Sequence, residues 1–139
     1  MASRTTDWNT SIINEFRANE GKVGGYFAGR PVLLLHHRGA RSGIERVNPL
    51  AYRREGDTLY IFGSKGGSPH HPDWYHNLKA NPRASVEVGT ETYEVQARVT
   101  GASERDDVYA RQVADSPAYG EYEKQTARTI PVVALERIG

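Results

Sequence analysis

The sequence predicts an α+β domain whose mostly antiparallel sheet curls into a small barrel. Two features predict it. Strand-length segments pair around tight Gly-bearing turns, at Glu55-Gly56-Asp57 and Gly89-Thr90-Glu91, which is hairpin spacing. The helical segments are scattered between hairpins, whereas a doubly wound parallel sheet would alternate them with single strands. A chain of 139 residues fits one domain, 1–139, with no room for a second core.

Thr6 or Asp7 can cap a first helix running to about Glu20, with Trp8, Ile12, Ile13 and Phe16 on one face and Gly21, Gly24 and Gly25 ending it. This segment, residues 1–25, is expected to act as core packing or lid. A membrane-surface anchor is the lesser reading, because the polar face is not strongly basic. Residues 31–37 form a short apolar strand, and 38–45 a Gly-punctuated turn. Residues 46–54 resume as a strand in which Pro49 demands an edge or a bulge, since it cannot donate to the ladder. Residues 58–63 are a strand, 64–72 a loop of Gly, Pro and His, and 73–80 a short helix stopped by Asn81-Pro82. Residues 84–88 and 92–100 alternate polar and apolar and pair as a hairpin. Ser103 opens an S-x-x-D pattern that caps a helix over 104–114. Residues 116–128 are polar and Tyr-bearing, and 130–138 form the last strand. Two further helices thus follow the N-terminal one.

Hydrophobic residues at 37% and charged residues at 25% describe a globular chain and not a disordered one. The absence of cysteine removes disulfides, thiolate zinc sites and iron–sulfur clusters, and makes a cytoplasmic location the default expectation. Contact with the inner face of a membrane stays open as a peripheral association, since no apolar run approaches the roughly 20 residues of a span. No signal-peptide core stands at the N-terminus. Net charge is only +1, but between residues 21 and 54 seven basic residues face Glu45 alone. Such a half can attract an anionic ligand, or can be a set of solvated arginines. It lacks interleaved exposed aromatics, and with the low net charge no nucleic-acid partner is expected.

In RGARSGIERVNPL, from Arg38 to Leu50, Gly39 and Gly43 free the backbone while Arg41 and Arg46 bracket a turn. Exposed N–H groups and two guanidinium forks can cradle a phosphate or carboxylate, although a plain hairpin with surface arginines fits equally well. GSKGG, residues 63–67, lacks the spacing of a nucleotide phosphate loop. Its Gly pair would let a flat ligand approach the backbone, with Lys65 supplying charge and Ser64 a hydrogen bond; a connecting loop is the equal alternative. His70, His71 and His76 with Asp73 match no ligand spacing, so no metal is expected. Of His36 and His37, neighbours late in a strand, one should face the core and one outward, with packing as their role. Tyr119 and Tyr122 share a face of a helical turn and, with Tyr109, can clamp a planar substrate and donate to an oxyanion. Half-buried packing tyrosines are the plainer reading. No Ser-His-Asp order or paired carboxylate is present. No G-x-G-x-x-G supports a dinucleotide site.

The stretches PVLLLHHRGARSGIERVNPLAY, GSKGGSPHHPDWYHNLKANPRASVEV and SPAYGEYEKQTARTIPVVALERIG together resemble the deazaflavin-dependent nitroreductase family of actinobacteria, in order and spacing from Asp7 onward. The blocks R-S-G-x-x-R-x-N-P-L and P-x-W-Y-x-N-L-x-A-N-P are quite specific to it. The resemblance implies a split β-barrel related to FMN-binding barrels, and coenzyme F-420 (8-hydroxy-5-deazaflavin), a hydride carrier with a phosphate and an oligoglutamate tail. It implies cofactor contacts from Arg41, Ser42, Gly43, Arg46, Val47, Asn48 and Pro49, and from Ser64, Lys65, Gly66, Gly67 and Trp74. Arg41, Arg46 and Lys65 would meet its anionic part. Ser64, Tyr119 and Tyr122 fall where the family places substrate-facing hydroxyls, and are the candidate catalytic residues.

Two departures stand out. Family members that reduce bicyclic nitroimidazoles carry a Tyr where this chain has Ser116, and an aromatic where it has Ala51. Both changes alter the acceptor pocket, leaving reduction of those substrates open without touching cofactor binding. The expected reaction is hydride transfer from the reduced deazaflavin to a flat, electron-poor small-molecule acceptor: a quinone, an enone or a nitroaromatic. An FMN oxidoreductase on the same barrel and a non-catalytic deazaflavin-binding protein are the alternatives. The chain is expected to be a monomer or a homodimer.

Overall fold

A computed structural model describes residues 4–25 and 30–138. The strands are β1 (Val32–Arg38), β2 (Glu45–Glu55), β3 (Thr58–Phe62), β4 (Arg83–Val88), β5 (Glu91–Val99) and β6 (Val132–Arg137). They close into an antiparallel barrel in the order β1-β2-β3-β6-β5-β4, with β4 pairing back onto β1. The helices are α1 (Arg4–Ala18), α2 (Asp73–Ala80), α3 (Ala102–Asp115) and α4 (Ala118–Lys124).

The two-residue period of a strand sorts the apolar residues into three clusters. Leu33, Leu35, Leu59, Ile61, Val86, Val95, Val133 and Leu135 point into the barrel, where Trp74, Tyr75 and Leu78 of α2 join them. The alternate residues of β1, Val32 and Leu34, face outward and are covered by Ile12 and Phe16 of α1. The alternate residues of β3 and β6 (Tyr60, Phe62, Val132, Ala134) are covered by Val108 and Tyr109 of α3 and Tyr119 of α4. Strands covered on both faces read as unbroken apolar runs, which is why residues 32–35 do not alternate. Each fully buried aliphatic side chain contributes about 1.5–3 kcal/mol, so the helices hold to the barrel by these outer clusters.

Pro49 sits where the chain tolerates it. The Tyr52 N–H donates to the Pro31 carbonyl at 3.2 Å. Antiparallel alternation then turns the Pro49 nitrogen away from β1, toward the side that β3 reaches only from Tyr52 onward. The missing donor therefore falls on an open edge, and residues 45–51 pair with β1 alone. Both hairpin turns are two residues long, since Glu55 pairs with Thr58 and Val88 with Glu91.

Helix ends differ from expectation. α1 starts at Arg4, so Thr6 and Asp7 lie inside it and are not its caps. Its C-terminal reversal is made by Glu20 at φ 57°, followed by Gly21, whose N–H donates to the Phe16 carbonyl at 2.8 Å. α3 begins at Ala102 behind Gly101, so Ser103 is already helical and caps nothing. Residues 118–124, expected only as a polar segment, form α4 and bring the helix total among the described residues to four. The 64–72 loop carries a short 3₁₀ turn, Lys65–Gly67. No described helix is long and apolar enough to cross a membrane.

Candidate functional site

The open edge of β2 forms one wall of a cleft of about 1100 Å³. That is slightly above the roughly 300–1,000 Å³ typical of small-molecule sites. Arg46, Val47, Asn48, Pro49, Leu50 and Ala51 line it from β2, and Phe62, Ser64 and Lys65 from the end of β3 and its loop. Pro72, Asp73 and Trp74 contribute the start of α2, Tyr119 and Tyr122 one face of α4, and Trp8 and Ile13 the underside of α1. The structure thus gathers residues as far apart in sequence as Trp8 and Tyr122 onto one surface. Among the expected site residues it brings together Arg46, Val47, Asn48, Pro49, Ser64, Lys65, Trp74, Tyr119 and Tyr122.

Arg41, Ser42 and Gly43 are placed elsewhere, in the β1–β2 turn, off the cleft wall. The Ser42 hydroxyl accepts the Ile44 N–H at 3.2 Å, and the Gly43 N–H donates to the Gly39 carbonyl at 2.9 Å. Gly66 and Gly67 belong to the 3₁₀ turn, and Gly67 is also off the wall. Of the two departures noted in the sequence, Ala51 lines the cleft and Ser116 does not. Tyr109 is buried behind the site, where its hydroxyl donates to the Tyr119 carbonyl at 2.6 Å. Burial lifts its pKa far above the usual tyrosine value, so it acts as a fixed donor that seats Tyr119. The Tyr119 and Tyr122 rings meet edge to face at 5.4 Å.

The cations divide by their partners. Arg17, Arg53, Arg98, Arg105 and Arg111 are all ion-paired to carboxylates. Arg46 and Lys65 have no such pair among the described residues, although both stand on the cleft. A cation kept out of the protein's own ion pairs beside a large cleft suits an anionic ligand. Lys65 also holds a left-handed φ of 46°, a conformation that costs about 1–2 kcal/mol in a non-glycine residue. No group of three His, Cys, Asp or Glu is gathered among the described residues.

Three contributors escape sequence reasoning. Arg128 reaches back over more than 50 residues to donate to the Ser64 and Ser68 carbonyls, each at 3.0 Å, and to His71 Nδ1 at 2.9 Å. It clamps the loop that carries Lys65, and no local pattern in the sequence announces it. His71 must stay neutral to accept this bond, and burial together with the Arg128 charge lowers its pKa. Asn77 and His37 form a buried pair beneath Asn48. Of the two neighbouring histidines His37 is the inward one, as expected, but it is hydrogen-bonded rather than merely packed.

Open strand edge, aromatic walls at Trp74 and Tyr119, and two uncommitted cations fit a flat, anionic redox coenzyme. The family model described as F420H2-dependent quinone reductase matches residues 8–137. An F420H2-dependent quinone reductase of Mycobacterium tuberculosis is 41% identical over 128 residues, spanning 88% of this chain and 85% of that protein. A solved F420H2-dependent reductase is 38% identical with a TM-score of 0.70, covering 81% of this chain and all (100%) of its own. A structure described as a domain-swapped dimer is 37% identical with a TM-score of 0.72, over 94% of this chain and 98% of that one. The expected split barrel and deazaflavin cofactor are therefore met, with a quinone as the family's acceptor. Matched from Trp8 through the end of its last strand, the chain belongs to the F420H2-dependent quinone reductases, oxidoreductases that pass a hydride from reduced coenzyme F-420 to a quinone.

Proposed function

We propose that this cleft binds coenzyme F-420 along the β2 edge, and that Ser64, Tyr119 and Tyr122 face the acceptor. The observation that carries the reading is the convergence of Arg46–Pro49, Lys65, Trp74 and the two tyrosines on a single wall system. When bound, the coenzyme supplies the hydride; the chain supplies orientation, charge and proton donors. Arg46 and Lys65 hold the anionic portion. The peptide groups of residues 47–49 and the Trp74 ring confine the ring system. A tyrosine hydroxyl carries a proton on a rigid ring, so Tyr119 and Tyr122 suit hydrogen-bond donation to the oxygen that becomes negative on the acceptor. The acceptor class extends from quinones to other flat, electron-poor molecules such as enones and nitroaromatics. Arg41, Ser42, Gly43, Gly66 and Gly67 act from the rim, by shaping the two turns that flank the cleft.

α1 serves as a lid. Its apolar stripe is taken up by the barrel at Ile12 and Phe16 and by the cleft at Trp8 and Ile13, which favours closure over a membrane anchor. The likeness to a structure described as a domain-swapped dimer supports the homodimer among the expected assemblies.

Fluorescence titration with coenzyme F-420 and with FMN tests the cofactor assignment. Tight binding of the deazaflavin is expected, and binding of FMN alone would overturn it. Oxidation of the reduced coenzyme is then followed optically against quinones, enones and nitroaromatics; binding without any turnover would leave a carrier protein instead of an enzyme. Tyr119→Phe and Tyr122→Phe are each expected to lower turnover by about tenfold or more with cofactor affinity retained. Unchanged turnover in both variants and in their combination would show that the phenols donate nothing to the reaction.

Arg128→Ala should release the 64–68 loop. Cofactor affinity is expected to fall about tenfold, the loss of roughly one charge-assisted bond's worth of loop order. Faster amide exchange at residues 65–68 would mark the cause. Arg128→Lys should recover only part of the affinity, because a point ammonium cannot serve three acceptors in the geometry of the guanidinium fork. Unaltered exchange in the alanine variant would refute the clamp.

A further inference from the structure

His37 is 2% exposed, lies at the floor of the cleft and is not used by the reaction described above. Its hydrogen bonds have a direction that one unambiguous donor determines. The backbone N–H of Ala40 donates to Asn77 Oδ1 at 2.9 Å. A peptide N–H can only donate, so the other end of that amide is the NH₂ group. Asn77 Nδ2 is 3.1 Å from His37 Nδ1, which must therefore accept. The proton of a neutral imidazole then resides on Nε2, and Nε2 lies 2.7 Å from Asn48 Oδ1. Asn48 accepts there, so its NH₂ group is left to donate on the side where Asn48 lines the cleft.

We propose that His37 is a positioning residue: as the neutral Nε2–H tautomer, held by Asn77, it orients the Asn48 amide so that its NH₂ donates to an acceptor atom of the bound coenzyme. The inference rests on the placement of the coenzyme in this cleft and adds how one of its contacts is aimed. Without His37 the Asn48 amide is free to turn over and present its oxygen, which would repel an acceptor. Protonated His37 would set Nδ1–H against the Asn77 NH₂, donor against donor. Asn77 could answer only by giving up the Ala40 N–H.

The surroundings agree with a neutral ring. Burial lowers the His37 pKa from its usual value, the bond to Asn48 opposes this, Arg46 and His36 lower it further and Asp73 raises it. Glu45, beside His37 on the cleft, is tied to His36 at 2.7 Å. Linkage follows from the direction. The ligand-free protein gains protons on His37 only below its depressed pKa, so the relay is intact at neutral pH and is lost as the pH falls through that value.

Nitrogen NMR of the ligand-free protein reads the tautomer without any coenzyme. A neutral Nε2–H ring, persisting below the ordinary histidine pKa of about 6.5, is expected. An Nδ1–H tautomer or a charged ring at neutral pH would overturn the proposal. A binding cycle with coenzyme F-420 tests the coupling. His37→Phe and Asn48→Ala should each raise Kd about tenfold, the worth of one well-placed hydrogen bond, and the double variant should bind no more weakly than Asn48→Ala alone. His37→Gln keeps an acceptor and a donor at nearly the ring positions and cannot titrate. It should restore affinity to within about threefold, and the ratio of wild-type to Gln Kd should grow as the pH falls, cancelling whatever titration the coenzyme itself contributes. Additive losses, a Gln variant as weak as Phe, or a ratio that does not change with pH would each sink the relay. Thermal melting of the free variants separates lost affinity from lost fold. Should the wild-type protein fail to bind the coenzyme, the cleft assignment falls, and the NMR result still decides the tautomer.

Discussion

Replacing Arg46 and Lys65 together by Gln is expected to weaken binding of coenzyme F-420 by about two orders of magnitude or more, since a hydrogen bond to a charged group is worth about 1.5–3 kcal/mol. The reason lies in what these side chains lack. Several arginines among the described residues are neutralised at home: Arg98 reaches Glu104 at 2.6 Å, Arg111 reaches Glu55 at 2.8 Å and Arg105 reaches Glu123 at 3.1 Å. Arg46 and Lys65 stand on the cleft with no ion pair among the described residues. Their removal therefore breaks no internal bond, and the ligand-free melting temperature should move by no more than about 2 °C, as for ordinary surface substitutions. The wild-type affinity should fall with added salt, and the double variant should lose most of that slope, because exposed charges are screened within about 10 Å at 0.1 M. Affinity within threefold of wild type would place the anionic part of the coenzyme elsewhere. Arg111→Gln is the contrasting substitution: it cuts two bonds to Glu55, at 2.9 and 2.8 Å, and should affect stability without affecting affinity.

Gly21→Ala is expected to destabilise the protein by about 2–4 kcal/mol, the range of backbone strain combined with overpacking. Gly21 follows the end of α1 at φ 91°, where an L side chain is strained. A Cβ there would lie 2.7 Å from the Cα and 3.0 Å from the nitrogen of Gly89, in the tip of the β4–β5 turn. Both neighbours are backbone, so relief requires α1 or the hairpin to move. For a domain of this size that loss corresponds to a melting temperature lower by about 6–15 °C. Binding should weaken as well, since α1 carries Trp8 and Ile13 to the cleft. Gly24→Ala provides the control. Its nearest neighbour would be a flexible Glu15 carboxylate oxygen at 3.5 Å, an ordinary contact, and the melting temperature should hardly change. Equal melting of the two variants would show that the glycine contact does not seat the helix.

Much of the barrel was legible because strands and turns are local. Gly56 and Gly89 mark the hairpin reversals, and Pro49 announced an open edge that the pairing then supplied. Misreadings fell where a local signal competed with packing. Ser103 satisfies a capping pattern, yet the helix starts at Ala102. The polar stretch around Tyr119 forms α4 because Tyr119 is drawn onto Phe62 and Tyr109, at ring distances of 5.3 and 6.3 Å, a reason that appears only when those rings are brought close.

By itself the sequence determined the fold class and the paired strands, because each depends on residue type and short-range spacing, while the kind of ligand followed from its resemblance to a family and not from local charge alone. Tertiary structure alone decided which cations remain uncommitted, that Arg128 clamps a loop some 60 residues away, and which way the His37 amide chain points. Those outcomes depend on distances between remote segments, and such distances come into being only when the barrel closes.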